Sequence, residues 1–160
     1  MTAAIALGSN LPSPFGPPES NLREALHRLA DIGHLSAIST FHTTAPVGYL
    51  NQPPFLNAAA LLETTLSPLD LLRSLLSIEQ AMGRDRSTSP PKGPRIIDLD
   101  LLLYIGTGGS ETLHDPDLTL PHPSMHERSF VLAPLAEIAP NLLHPTLHCT
   151  IADLLADLPA

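Results

Sequence analysis

Apolar and polar positions divide the chain into runs with distinct periods. Ala3 to Leu7 is an apolar run closed by Gly8-Ser9-Asn10, which predicts a short buried strand and a turn. A proline-rich loop follows to Pro18. Leu22, Ala25, Leu26, Leu29 and Ala30 then recur at helical spacing, with Gly33 placed to stop the helix. Leu35 to Thr44 reads as one strand, Ala45 to Pro54 as a loop, and Phe55 to Thr64 as another strand. Ser67-Pro68 resembles a helix cap with proline at the first helical position. Leu69, Leu72, Leu75, Leu76 and Met82 supply that helix's apolar stripe, ended by Gly83. Arg84 to Pro94 has no period and reads as an irregular loop. Ile96 to Ile105 is the clearest strand, and helical patterns follow at Ser129–Ala139 and Thr150–Leu158. Strand, helix, strand, strand, helix, strand and a helical tail is the element order of a ferredoxin-like α+β fold. With no internal repeat and no long linker, residues 1–160 read as a single domain.

Alternation along the Ile96–Ile105 strand decides which side chains share a face. Ile97, Leu99, Leu101, Leu103 and Ile105 form an apolar face. The other face carries Asp98 and Asp100 side by side. Carboxylates about 6.6 Å apart by strand rise repel by roughly 2–3 kcal/mol at an effective dielectric near 20. A hard divalent cation offsets that repulsion, and Mg²⁺ is commonly held by one or two carboxylates together with substrate phosphates. A lone Asp-x-Asp also fits a solvent-facing strand surface where water screens the charges.

Charge changes this picture. The formal net charge is −8, which argues against a general nucleic-acid-binding surface. Of only eight Lys and Arg residues, Arg84, Arg86, Lys92 and Arg95 fall within one short segment directly before the aspartates. A basic loop beside a carboxylate pair is what phosphoryl transfer requires: cations and arginines offset charge on the transferred and leaving groups. Cys149 is the only cysteine, so an internal disulfide and a thiolate metal site are excluded. No apolar run is long enough for a membrane helix, and the first residues lack the basic region of a signal peptide. The expectation is a cytoplasmic protein.

Lys92-Gly93-Pro94-Arg95-Ile96-Ile97-Asp98-Leu99-Asp100-Leu101-Leu102 resembles the signature of the 6-hydroxymethyl-7,8-dihydropterin pyrophosphokinase family. The resemblance spans nearly the whole chain. It includes Ala6 to Leu11, Thr44-Ala45-Pro46, Phe55 to Ala58, Ile78-Glu79, Gly83-Arg84, Leu120-Pro121-His122, Met125, Arg128, Phe130-Val131-Leu132 and Pro134 to Pro140. It implies transfer of the terminal pyrophosphate of ATP to the pterin hydroxymethyl group, with AMP released. It implies two Mg²⁺ ions on Asp98 and Asp100, phosphate contacts from Arg84, Arg86 and Arg95, and catalytic roles for these five residues. Glu79, Ile97, His122 and Arg128 match the ATP site. Thr44, Ala45, Val47, Phe55, Asn57 and Phe130 match the pterin pocket. ATP and the pterin are the implied partners, and a monomer is expected. Two departures stand out: Lys92 occupies a loop position where many relatives carry an aromatic residue, and Asp117 stands where some carry a basic one.

The residue types suit a pterin. There are six aromatic residues and no tryptophan, and Phe55 and Phe130 could sandwich a flat heterocycle. Asn57 offers a donor and an acceptor to an amide edge. On their own, Phe55 and Phe130 read first as core residues. Two other readings remain open: a non-catalytic ferredoxin-like module for a small ligand, and a zinc site using His122 and His126 if they share a helix face at i, i+4.

Overall fold

The apolar start of the chain forms β1 (Thr2–Ser9), which lies at the centre of an antiparallel sheet. The structure, a computed structural model, describes residues 1–85 and 92–159. After β1 come α1 (Pro18–Leu29), β2 (His34–Ile38), β3 (His42–Thr44), β4 (Phe55–Glu63), α2 (Pro68–Ala81) and β5 (Asp98–Gly106). Short strands β6 (Gly109–Ser110), β7 (Leu113–His114) and β8 (Thr119–Leu120) precede α3 (Ser129–Ile138) and α4 (Ile151–Ala156). The main sheet runs β2-β4-β1-β5-β6, with β3 also paired to β4. This is the ferredoxin-like arrangement that the element order predicts. Ser67 caps α2 as expected, its hydroxyl accepting from the Asp70 amide at 3.2 Å.

Each face of the sheet buries its own core. Ile5 and Leu7 of β1, Leu99 and Leu101 of β5, and Leu62 of β4 pack against Leu22 and Leu29 of α1 and Leu71 and Leu75 of α2. On the opposite face, Ala4, Ala59, Leu102 and Leu103 pack against Leu132 and Leu135 of α3 and Ile151 and Leu154 of α4. Alternation places Gly8, Asn57, Asp98 and Asp100 on this second face, toward the sheet end from which α3 starts.

Two sequence expectations need correction. The apolar face of β5 does not run unbroken from Ile97 to Ile105. Ala4 pairs with Leu103 and Ile5 with Leu101, so Leu102 is an extra residue in a bulge. Beyond it the faces exchange: Leu103 joins the α3 core, while Tyr104 turns to the α2 side and donates its hydroxyl to the Leu66 carbonyl at 2.7 Å. The other correction is at Leu35–Thr44, which is two strands rather than one. Ser39 still engages β4, donating its amide to the Ala59 carbonyl and accepting from the Ala59 amide with its hydroxyl. Thr40 gives its amide to Glu137 of α3 instead, at 2.6 Å, and the ladder stops.

Glu137 also accepts from the Thr40 hydroxyl at 2.6 Å and contacts His42 Nε2 at 3.0 Å. The Thr40 hydroxyl and amide, and then His42, hold its carboxyl down at about 2, from an ordinary 4.5. A depressed carboxyl pKa stabilises the fold above the unfolded value and loses that contribution as pH falls toward the folded one. Wild type is therefore expected to exceed Glu137→Gln in stability at neutral pH, with the gap closing as pH falls from about 4.5 to about 2. Urea denaturation across that range checks this, and a gap independent of pH would refute it.

Candidate active site

Opposite the two β5 carboxylates, β1 contributes no bulk. Gly8 pairs with Asp98 and Ala6 with Asp100, so the surface over the carboxylates stays open. Gly8 also allows a close approach from β4: a Cβ there would lie 3.2 Å from the Asn57 side-chain oxygen. Asn57 is buried and donates to the Thr44 hydroxyl at 2.5 Å, joining β4 to β3.

The arginines converge on Asp98. Arg84 follows Gly83, whose φ of +100° turns the chain out of α2. One terminal nitrogen of Arg84 donates to both Glu79 Oε2 and Asp98 Oδ1, each at 2.7 Å. Arg95 takes the other Asp98 oxygen at 3.2 Å and lies 5.2 Å over the Phe55 ring. Asp98 is thus bridged by two guanidinium groups from the two ends of the basic loop. Asp100 has a different balance. Burial, then the charges of Asp98 and Glu79, push its carboxyl up to about 7 against the opposing pull of Arg128 and Arg95. A carboxylate so disfavoured, beside a second on the same face, is a donor set suited to a hard cation. Among the described residues, no group of three or more His, Cys, Asp or Glu side chains could hold a metal by itself. Any cation here would complete its shell with water or phosphate oxygens.

Beside the carboxylates is a cavity lined by Gly8, Thr44, Ala45, Val47, Phe55, Asn57, Lys92, Arg95, Asp98, Arg128 and Phe130. All six residues matched to a pterin pocket are therefore gathered in one place. Phe55 and Phe130 are only partly buried, Phe130 packing against the edge of the α3-side core; each lines the cavity and has a guanidinium nearby, Arg128 lying 5.7 Å from Phe130. Arg128, matched to the nucleotide site, lines this cavity too.

Other calls fall elsewhere. Ile97 is fully buried in the α2-side core, so its side chain does not line the cavity. Glu79 is also buried; besides Arg84 it accepts the Leu99 amide at 2.7 Å, so it fixes the start of β5 rather than facing the cavity. His122 lies on a separate groove with His114, Thr119, His126 and His144. Burial first, then Arg128, lowers the His122 pKa against Asp98, which raises it. The Ser124 amide donates to its Nδ1, which leaves the proton on Nε2. His122 and His126 do not share a helix face, because only Met125–Glu127 forms a 3-10 turn. Asp117 sits at the β7–β8 turn, its amide bonded to the Asp115 side chain, away from the cavity. Arg86 lies outside the described residues.

Sequence reasoning missed the hub that joins the loops. Asn10, at the end of β1, is buried. Its side-chain oxygen accepts the Arg95 amide at 2.8 Å, and its side-chain nitrogen donates to Gln52 at 2.9 Å and to the Pro53 carbonyl at 3.0 Å. Gln52 in turn donates to the Lys92 carbonyl at 2.8 Å. Lys92 adopts φ +58°, and its side chain lies where a Cβ on Gly48 would stand. The loop after β3 and the loop before β5 are thus joined to each other and to β1. The only hint in the sequence was an amide residue directly after a buried strand.

The site thus places a partly aromatic cavity against paired carboxylates and a cluster of arginines, the equipment of a phosphate-handling transferase. The model of the 7,8-dihydro-6-hydroxymethylpterin-pyrophosphokinase family matches residues 4–140, and the chain belongs to that family. It is 44% identical over 145 residues to the 2-amino-4-hydroxy-6-hydroxymethyldihydropteridine pyrophosphokinase of Haemophilus influenzae, covering 91% of this chain and 86% of that protein. It is 39% identical over 159 residues to the folic acid synthesis protein fol1 of Schizosaccharomyces pombe, covering 99% of this chain but only 20% of that longer protein. A solved Plasmodium falciparum HPPK-DHPS structure superposes with a TM-score of 0.72 at 18% identity, over 97% of this chain and 44% of that one. The last likeness bears on fold alone, and supports the ferredoxin-like α+β assignment.

Removing Glu79 would leave the Leu99 amide without its buried acceptor, while Arg84 would keep Asp98. Glu79→Ala is expected to lose about 1–3 kcal/mol of stability, the usual cost of leaving a buried donor unsatisfied. Urea denaturation measures this; a loss below about 1 kcal/mol would show that Glu79 does not anchor the site.

Proposed function

We propose that this protein transfers the terminal pyrophosphate of ATP to the hydroxymethyl oxygen of 6-hydroxymethyl-7,8-dihydropterin, releasing AMP, as a step of folate biosynthesis. The observation that carries the proposal is the single cavity that unites Phe55, Asn57, Thr44 and Phe130 with Asp98 and Arg95. A ligand-binding module without chemistry would explain the aromatic end but not the carboxylates and arginines. The whole chain acts as one pyrophosphokinase domain, as a cytoplasmic monomer.

The pterin ring lies between Phe55 and Phe130, with Asn57 and Thr44 at its amide edge. The pterin hydroxyl attacks the β-phosphorus in line. A bond forms from that oxygen to phosphorus, the bond from phosphorus to the α,β-bridging oxygen breaks, and AMP leaves with the electron pair. The hydroxyl proton passes to solvent. Asp98 and Asp100 would hold two Mg²⁺ ions, which would supply positive charge to the phosphate oxygens. Arg84 and Arg95, which now bridge Asp98, turn from carboxylate to phosphate as the triphosphate arrives. Arg86 joins them on the phosphates. Arg95 carries most of the charge stabilisation, because it lies between Phe55 and Asp98 at the junction of the two substrates. Positioning and charge compensation make up the catalysis. The loops at 45–54 and 84–94 close over the substrates and exclude water, which would otherwise hydrolyse ATP.

Incubation with ATP, Mg²⁺ and the hydroxymethyl pterin should yield AMP and the pterin pyrophosphate; formation of ADP would overturn the assignment. Chelation of divalent cations should stop turnover, and added Mg²⁺ should restore it.

Asp100→Asn removes a charge that burial and Asp98 already disfavour. It is expected to keep or raise the thermal midpoint while cutting kcat by roughly a hundredfold or more. Wild-type turnover in that variant would show that the pair does not serve catalysis.

A further inference from the structure

We infer that Glu137 is a positioning residue for the pterin cavity, acting as a latch that sets the gap between its two walls. This rests on the reading above that the cavity takes the pterin. One wall is carried by α3, through Phe130 near its start. The other is carried by β3 and β4, through Thr44, Phe55 and Asn57. Phe130 and Glu137 are seven residues apart on α3, so they share one face of the helix at opposite ends.

Glu137 reaches from that face to the chain entering β3. It takes the Thr40 amide and hydroxyl, each at 2.6 Å, and His42 Nε2 at 3.0 Å. His42 is the register partner of Asn57, and Thr44 is the partner of Phe55. The latch therefore holds the strand residues directly opposite the two β4 side chains that face the ligand. Thr44 completes the link by accepting from Asn57 at 2.5 Å.

β3 is only three residues long and follows the ladder break. Pairing with β4 fixes its register but not its distance from α3. The Glu137 carboxylate, ionised at any working pH, supplies that tie through charge-assisted hydrogen bonds. It touches neither the carboxylate pair nor the basic loop, so its influence falls on one substrate. Losing the latch should loosen the pterin wall and leave the phosphate end intact.

The test is steady-state kinetics and amide hydrogen exchange on the full chain carrying Glu137→Ala, Glu137→Gln or Thr40→Val. Glu137→Ala is expected to raise the KM for the pterin by roughly tenfold and leave kcat and the KM for ATP within about twofold. Glu137→Gln, which keeps an acceptor for the Thr40 amide, should recover part of the pterin KM. Exchange at residues 40–44 should quicken in Glu137→Ala, a readout that needs no catalysis. An unchanged pterin KM in folded Glu137→Ala, or an equal loss on both substrates, would overturn the inference. If Glu137→Ala does not fold, Thr40→Val carries the same test, with the same two outcomes. If wild type forms no AMP, the functional reading fails, and unchanged exchange at 40–44 would separately refute the latch.

Discussion

Two carboxylates share one face of β5, and their mutual repulsion must be met by positive charge. Most of the site follows from how that is done. Asp98 is neutralised from both sides by Arg84 and Arg95, which stand at opposite ends of the basic loop. Asp100 has no such partner at hydrogen-bond distance among the described contacts, and its carboxyl rises to about 7. One carboxylate is therefore ion-paired within the protein, and the other has no ion pair among the described residues. Glu79 completes the arrangement by fixing both Arg84 and the Leu99 amide between the aspartates.

The same constraint explains why the loops are tied together. Arg95 belongs to the basic loop, yet its backbone is paired to Asn10 in both directions, its amide to the side chain and its carbonyl to the Asn10 amide. Asn10 passes the connection to Gln52, and Gln52 to Lys92. One buried amide thus holds the loop after β3 and the start of β5 in place.

Much of this was legible in the sequence where the signal is periodic or chemical. Alternation placed Asp98 and Asp100 on one face, and it holds because the bulge comes only after them, at Leu102. Had the extra residue fallen at Leu99, the two carboxylates would have lain on opposite faces. Asn57 stood out as an amide in an apolar strand, and the structure buries it beside the cavity. What the sequence hid is non-local. The strand break at Thr40 depends on a glutamate 97 residues away, which no window of local pattern contains. Glu79 and Ile97 were matched to a nucleotide site; both are buried, Glu79 on α2 holding the Leu99 amide and Ile97 in the core beside it. Strands β6 to β8 have two residues each, too few to show a period.

Arginines that bridge a carboxylate make the site self-limiting. Free Arg84 and Arg95 would attract any anion, and a bare Asp98–Asp100 pair would attract any cation. Paired with each other, they present little net charge until a ligand brings both signs at once. A triphosphate with its divalent cations does this: its oxygens compete for the guanidinium groups while its cations compete for the carboxylates. Neither exchange is favourable alone, since each leaves a partly buried charge uncompensated. On the proposed reaction the two exchanges together conserve the number of opposite-charge contacts, which favours the metal–nucleotide complex over either component.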